Sequence, residues 1–134
     1  MHLSNVTMLA GQPRECIPAF LSAADVGLIP LRRLDVFEGA LPSKMFDAWA
    51  CGLPVILGVK GEAKEVLEQA GAGLAVEPED PSQLCQAILR LKADPQLRED
   101  YGRKGRDFVM RNYDRRDLAE RLERVLREVG GKGS

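Results

Sequence analysis

Short apolar runs alternate along the chain with stretches in which apolar residues recur every three or four positions. Residues 6–9, 26–29, 54–57 and 73–76 each read as a strand, the first closed by Gly11 and Pro13 and the second by Pro30. These runs are continuous in valine, isoleucine and leucine, the pattern of a parallel sheet covered on both faces. Between them Ile17, Phe20, Leu21 and Ala24 share one helical face. Ala63, Val66, Leu67 and Ala70 repeat that spacing, as do Leu84, Ala87, Ile88 and Leu91. Pro18 is tolerated in a first turn, where its missing N–H has no partner anyway, so the first helix is expected to start near Glu15. Asp80-Pro81 and Asp94-Pro95 each set a capping acid before a proline, and Gly71-Ala72-Gly73 supplies a helix C-cap. Leu97, Tyr101, Gly105 and Phe108 mark a further helix; after Asp114 as N-cap, Leu118, Leu122, Val125 and Val129 mark a last one with a narrow apolar seam.

The succession predicts an α/β fold: a Rossmann-like three-layer sandwich with a mainly parallel sheet of about four strands joined by right-handed crossovers, plus two C-terminal helices. At 134 residues it fits one domain, over residues 1–129, with residues 130–134 expected to fray. Nineteen basic against 20 acidic residues give a net charge of -1, which disfavours nucleic-acid binding. The arginines of the last third alternate with Glu120, Glu123 and Glu128, as on a solvated helix face. No apolar run is long enough to cross a membrane and the first residues lack a signal-peptide pattern, so a cytoplasmic location is expected. Cys16, Cys51 and Cys85 are an odd count without C-x-x-C spacing and read as buried thiols. With His2 the only histidine, a Ser-His-Asp triad or a histidine-rich metal centre is hard to build, and no metal site is expected. No P-loop pattern occurs.

Candidate chemistry concentrates in residues 37–56, FEGALPSKMFDAWACGLPVI, the loop after the second predicted strand and the helix that follows it. A helix starting near Ser43 offers unpaired N–H groups and the positive end of its dipole to an anion. Lys44 adds a cation where the dipole alone favours an acid, which suits a lysine pairing with a phosphate. A surface lysine bridged to Asp47 at i+3 fits the spacing equally. Asp47 lies one turn beyond Ser43 on the same face, placed either to accept hydrogen bonds from ribose hydroxyls or simply to face water. Met45, Phe46 and Trp49 point towards the sheet.

The ordered segments NVTMLAGQ, AADVGLIPL, EGALPSKMFDAWACGLPVI and GAGLAVEPEDPSQLCQAI resemble the carboxyl-terminal half of family 4, group 1, retaining glycosyltransferases, notably the bacterial polysaccharide-synthesis branch. The resemblance covers about nine-tenths of the chain. It implies the glycosyltransferase-B architecture, in which this half binds a nucleoside-diphosphate-sugar donor and no further cofactor is used. Glu38 is similar to the family's first acid, which contacts the transferring sugar, and Asp47 to its second, which binds the ribose. Two departures stand out: eight residues separate these acids instead of seven, and the second is aspartate in place of glutamate. Gly39, Ala40, Leu41, Pro42, Ser43 and Lys44 would cradle the diphosphate, with Glu38 and Lys44 in catalytic roles and Gln12 and Pro13 flanking the base.

Set against the family pattern, two strands ahead of residues 6–9 and the amino-terminal acceptor domain are missing, so the isolated chain is expected to be inactive. Residues 6–9 would then pair directly with the second strand or exchange with another copy in a dimer. The resemblance also implies a glycan or lipid-linked acceptor, and a peripheral place at the inner face of the membrane for the full-length enzyme. From another class, a non-catalytic nucleotide- or protein-binding module would use the last helix, through Leu118, Leu122, Val125 and Val129. A sugar-nucleotide epimerase of the same architecture is disfavoured by the lack of histidine in the body of the chain.

Overall fold

A computed structural model of the chain describes residues 3–30 and 43–112, together with Glu123 and Arg127. A 3-10 turn, Arg14–Cys16, leads into helix α1 (Ile17–Ala23), followed by strand β1 (Gly27–Pro30). Helix α2 (Ser43–Ala50), strand β2 (Val55–Gly58), helix α3 (Glu62–Ala70) and strand β3 (Gly73–Ala75) come next. Helices α4 (Pro81–Ala93) and α5 (Pro95–Asn112) complete the described elements. The strands form one parallel sheet in the order β1-β2-β3, in register through Leu28 with Ile56 and Ile56 with Leu74.

Every residue of β2 is buried, as a central parallel strand covered on both faces requires. Its side chains divide between two cores. Val55 and Leu57 join Met45, Trp49, Ala63 and Leu67 under α2 and α3, while Ile56 meets Ala87 and Leu91 of α4 on the opposite face. Helix α5 joins both layers, with Leu97 and Tyr101 against the second core and Phe108 and Val109 against the first.

The punctuation read from sequence is present. Asp80 accepts a hydrogen bond from the Gln83 N–H at 3.0 Å, and Asp94 accepts one from the Leu97 N–H at 3.0 Å. Gly71 closes α3 in the left-handed conformation, with φ 63°. At the exposed pair Glu123 and Arg127, a salt bridge of 2.5 Å spans i to i+4, in keeping with an interleaved, solvated face. Asp114 and the seam residues Leu118, Leu122, Val125 and Val129 lie outside the described residues.

Three expectations fail. Residues 6–9 form no strand: Val6, Met8 and Leu9 are 51%, 89% and 61% exposed, and the described sheet has three strands instead of about four. A strand is stabilised by its ladder partner, and β1, the nearest edge in sequence, pairs only with β2 among the described residues. The stripe on α1 does not join the core either, since α1 has no buried residue and Phe20 is 44% exposed; Leu21 alone of that stripe packs against the first core. The cysteines are not buried thiols: Cys16 and Cys85 are exposed and Cys51 is half-buried. Cys85 falls off the Leu84, Ala87 and Leu91 face of α4, so its helix turns it to water.

Candidate functional site

Helix α2 begins at Ser43, as its sequence predicts, and its rotation is fixed from below. Met45, Ala48 and Trp49 are buried. The Trp49 indole N–H donates to the Ala72 carbonyl at 3.2 Å, and its ring meets Phe46 and Phe108 edge-on at centroid distances of 5.8 and 5.7 Å. With that face committed to the core, Ser43, Lys44, Asp47 and Ala50 are exposed, and Cys51 at the helix end is half-buried. The spacing i, i+4, i+7 and i+8 puts Ser43, Asp47, Ala50 and Cys51 on one line over about 12 Å.

The lower part of this line opens onto a groove of about 480 Å3. Asp47, Ala50 and Cys51 form one wall; Arg14, Glu15, Ile17, Pro18 and Leu21 form the other. The second wall exists because Pro13 and Pro18 bracket the turn into α1 and the helix lies shallowly on the core, leaving its near side uncovered. The groove thus has an apolar lining with three charged side chains, Arg14, Glu15 and Asp47, around it. Lys44 and the positive end of the α2 dipole stand at one end of the line, and carboxylates lie further along. Such a polarity accommodates a molecule that is anionic at one end and rich in hydrogen-bond donors at the other.

Among the described residues, ion pairs join Lys60 with Glu77, Asp100 with Arg103 and Lys104, and Glu123 with Arg127. Gln12 and Pro13 are exposed just ahead of the groove wall, and the Gln12 amide donates to the Ala10 carbonyl at 3.0 Å. Arg14 and Glu15 line the groove itself, two residues further along than the pair expected from the sequence. Their signal was the turn between Pro13 and Pro18, which sets both residues just ahead of α1. Glu38, Gly39, Ala40, Leu41 and Pro42 lie outside the described residues. Among the described residues, no cluster of three or more His, Cys, Asp or Glu side chains is placed to hold a metal ion, and no helix is long and apolar enough to cross a membrane.

Comparison with known proteins bears on this arrangement. Residues 2–108 match the family described as glycosyl transferases group 1. The chain is 34% identical, over 91% of its length and 32% of the relative's, to a GDP-mannose-dependent alpha-(1-6)-phosphatidylinositol monomannoside mannosyltransferase of Mycolicibacterium smegmatis. It is 38% identical to a GDP-mannose-dependent monoacylated alpha-(1-6)-phosphatidylinositol monomannoside mannosyltransferase of Corynebacterium glutamicum, over 79% of this chain and 28% of that protein. The chain thus spans about a third of the length of the curated relatives it matches. Among solved structures, sucrose-phosphate synthase from Thermosynechococcus elongatus superposes with a TM-score of 0.81 at 26% identity, over 94% of this chain and 30% of that one. Anabaena HepE, in a complex with UDP, shares the fold with a TM-score of 0.66 at 20% identity, over 86% of this chain and 30% of that one. The family match over most of the chain, the relatives above 30% identity and the Rossmann-like, glycosyltransferase-B-type architecture agree: this chain belongs to the group 1 glycosyl transferases.

Proposed function

We propose that this chain forms the donor side of a retaining, cytoplasmic glycosyltransferase that takes a sugar from a nucleoside diphosphate for glycoconjugate synthesis. The observation that carries the reading is the exposed line of α2, on which Ser43 and Lys44, then Asp47, then the groove follow in the order of diphosphate, ribose and base. In this reading the α2 N-terminus, Ser43 and Lys44 stabilise the departing diphosphate, and the Asp47 carboxylate accepts hydrogen bonds from the ribose hydroxyls. Gln12 and Pro13 border the base. Glu38 orients the transferring sugar, and Gly39, Ala40, Leu41 and Pro42 complete the phosphate cradle. Catalysis rests on positioning and charge, with the nucleotide sugar as substrate and no further cofactor. The relatives' names point to GDP-mannose as donor and a phosphatidylinositol mannoside as a lipid-linked acceptor. Because the chain spans about a third of those proteins, transfer is assigned to its assembly with an acceptor-binding unit, and donor binding to the chain itself.

Calorimetric titration with a ligand series tests this. Lys44→Ala weakens GDP binding about tenfold or more and leaves guanosine binding unchanged, whereas Asp47→Ala weakens both. Equal affinities for GDP in the wild type and Lys44→Ala would remove the phosphate contact from the account.

A further inference from the structure

A second cavity, of about 160 Å3, shares no lining residue with the groove beside α2. Val59, Lys60 and Lys64 line it from the passage of β2 into α3, and Val76, Glu77 and Gln83 from the passage of β3 into α4. It lies beyond the carboxyl ends of the strands, the edge at which parallel sheets bind ligands. β1 ends on the same edge, with Pro30 paired to Gly58, and at the usual strand spacing the ends of β1 and β3 are about 10 Å apart. Local chemistry builds the walls. Gly61, at φ 84°, makes the turn that leaves Lys60 ahead of α3 and Lys64 in its first turn. Opposite them three hydrogen bonds lock the β3–α4 connection: Asp80 N–H to the Glu77 carbonyl at 3.3 Å, Gln83 N–H to the Asp80 carboxylate at 3.0 Å, and Glu77 N–H to the Gln83 side-chain oxygen at 2.8 Å. The Glu77 carboxylate meets the Lys60 ammonium at 3.2 Å. We infer that this cavity receives the phosphodiester of a polyol headgroup, that of the acceptor: Lys60 and Lys64 hold the phosphate, and Glu77 and Gln83 hold the hydroxyls beside it.

Charge, size and donor inventory point to that ligand. Two ammonium groups against one carboxylate leave the cavity a single positive charge, which the one negative charge of a phosphodiester balances. A phosphate monoester carries about two negative charges and overcompensates. The volume equals that of about five water molecules and falls below the roughly 300–1,000 Å3 that encloses a whole small-molecule ligand. It therefore admits one phosphate with the hydroxyls next to it, and the rest of the ligand lies outside. Lys60 and Lys64 are both half-buried, although lysine is among the side chains least often covered. The contact with Glu77 engages one of the three donors of the Lys60 ammonium, so it orients the cation without exhausting it. With its oxygen bound to the Glu77 N–H, Gln83 has its amide nitrogen to donate, and the Glu77 carboxylate accepts from hydroxyls.

This inference rests on the donor-site reading above, since it gives the donor-binding chain a share in holding the lipid-linked acceptor, and the experiment separates the two. Glycerophosphoinositol, inorganic phosphate and GDP are titrated against the isotope-labelled 134-residue chain and its Lys64→Gln variant, following lysine side-chain and Gln83 amide NMR signals and recording each thermal midpoint. In the wild type the soluble diester shifts Lys60, Lys64 and Gln83 saturably and binds about tenfold or more tightly than inorganic phosphate. Lys64→Gln weakens the diester about tenfold, keeps GDP within about twofold and leaves the thermal midpoint unchanged. Lys60→Gln repeats that loss, because the ion pair it removes is exposed and adds little to the fold. Phosphatidylcholine vesicles with and without phosphatidylinositol distinguish the sources of the headgroup. Cosedimentation that requires both phosphatidylinositol and Lys64 marks a lipid-borne headgroup, and binding of the soluble diester alone marks a free one; either keeps the site. Inorganic phosphate binding as tightly as the diester, or diester shifts confined to Ser43 and Lys44, overturns the inference and leaves the donor site in place. GDP shifts centred on Lys60 and Lys64 overturn the donor reading and this inference together.

Discussion

Replacing Gly102 by alanine sets local propensity against packing, and the two predict opposite signs. Gly102 lies inside α5, where alanine is favoured over glycine by about 1 kcal/mol in an unconstrained helix. In this structure it is buried, and a Cβ built there would sit 2.1 Å from the Gly52 carbonyl oxygen and 3.0 Å from its carbon. The obstruction is backbone, held in turn by the Gly52 N–H donating to the Trp49 carbonyl at 2.9 Å and by the left-handed Gly52 itself, with φ 72°. Relief requires α5 to move off the end of α2, an overpacking cost at the upper end of the usual range, about 3 kcal/mol. After subtracting the propensity gain, Gly102→Ala destabilises the chain by about 2 kcal/mol and lowers Tm by roughly 6–10 °C. Urea denaturation followed by circular dichroism, with calorimetry for Tm, measures both. An unchanged or raised Tm would mean that α5 does not approach α2 as closely as described, and the anchoring of the α2 site line would lose its support.

Three further outcomes follow from particular contacts. Asp80→Ala removes the acceptor for the Gln83 N–H and costs about 1 kcal/mol in the same urea assay, with Asp80→Asn recovering most of it. The hydrogen bond from Lys104, helped by the charges of Lys104 and Arg103, holds the Asp100 carboxyl below the usual carboxylate range against an opposing desolvation. Its folded value is thus below its unfolded one, so the small contribution of the pair is present above the unfolded value and disappears as pH falls through the folded one. A carbon-detected NMR titration should place Asp100 below a model aspartate, and a titration at the ordinary aspartate value would contradict the contact. Finally, among the described residues, β1 pairs only with β2 and residues 6–9 form no strand. Exchange between copies predicts a dimer in sedimentation with the amides of residues 6–9 protected from hydrogen exchange; a monomer with those amides exchanging freely eliminates it.

What the sequence reveals here divides along a physical line. Caps and turns are local chemistry, and Asp80, Asp94 and Gly71 act where their residue types say they should. The buried faces of α2 and α3 are equally legible, because each has a layer of the sheet to cover it. Periodicity reports that a face is apolar, not that a neighbour exists to bury it. Val6, Leu9 and Phe20 have the pattern of strand and core but remain exposed, with no element among the described residues covering them. At the site, Lys44 and Asp47 could be named from their positions on a helix, whereas Arg14 and Glu15 line a groove whose other wall, Asp47, Ala50 and Cys51, lies more than 30 residues away in sequence. Cys51, read as a core thiol, lines that groove instead, since the end of α2 projects past the buried Trp49.

The central claim is that the outward line of α2 holds a nucleoside diphosphate from its N-terminus to the groove. Titrating isotope-labelled chain with GDP while following backbone and lysine side-chain NMR signals tests it most directly. The account predicts saturable shifts concentrated at Ser43, Lys44, Asp47 and Ala50 and on the facing wall at Arg14 and Glu15, with the Lys44 side-chain response lost when guanosine replaces GDP. Saturable shifts confined to other surfaces, or a Lys44 signal indifferent to the diphosphate, would contradict it.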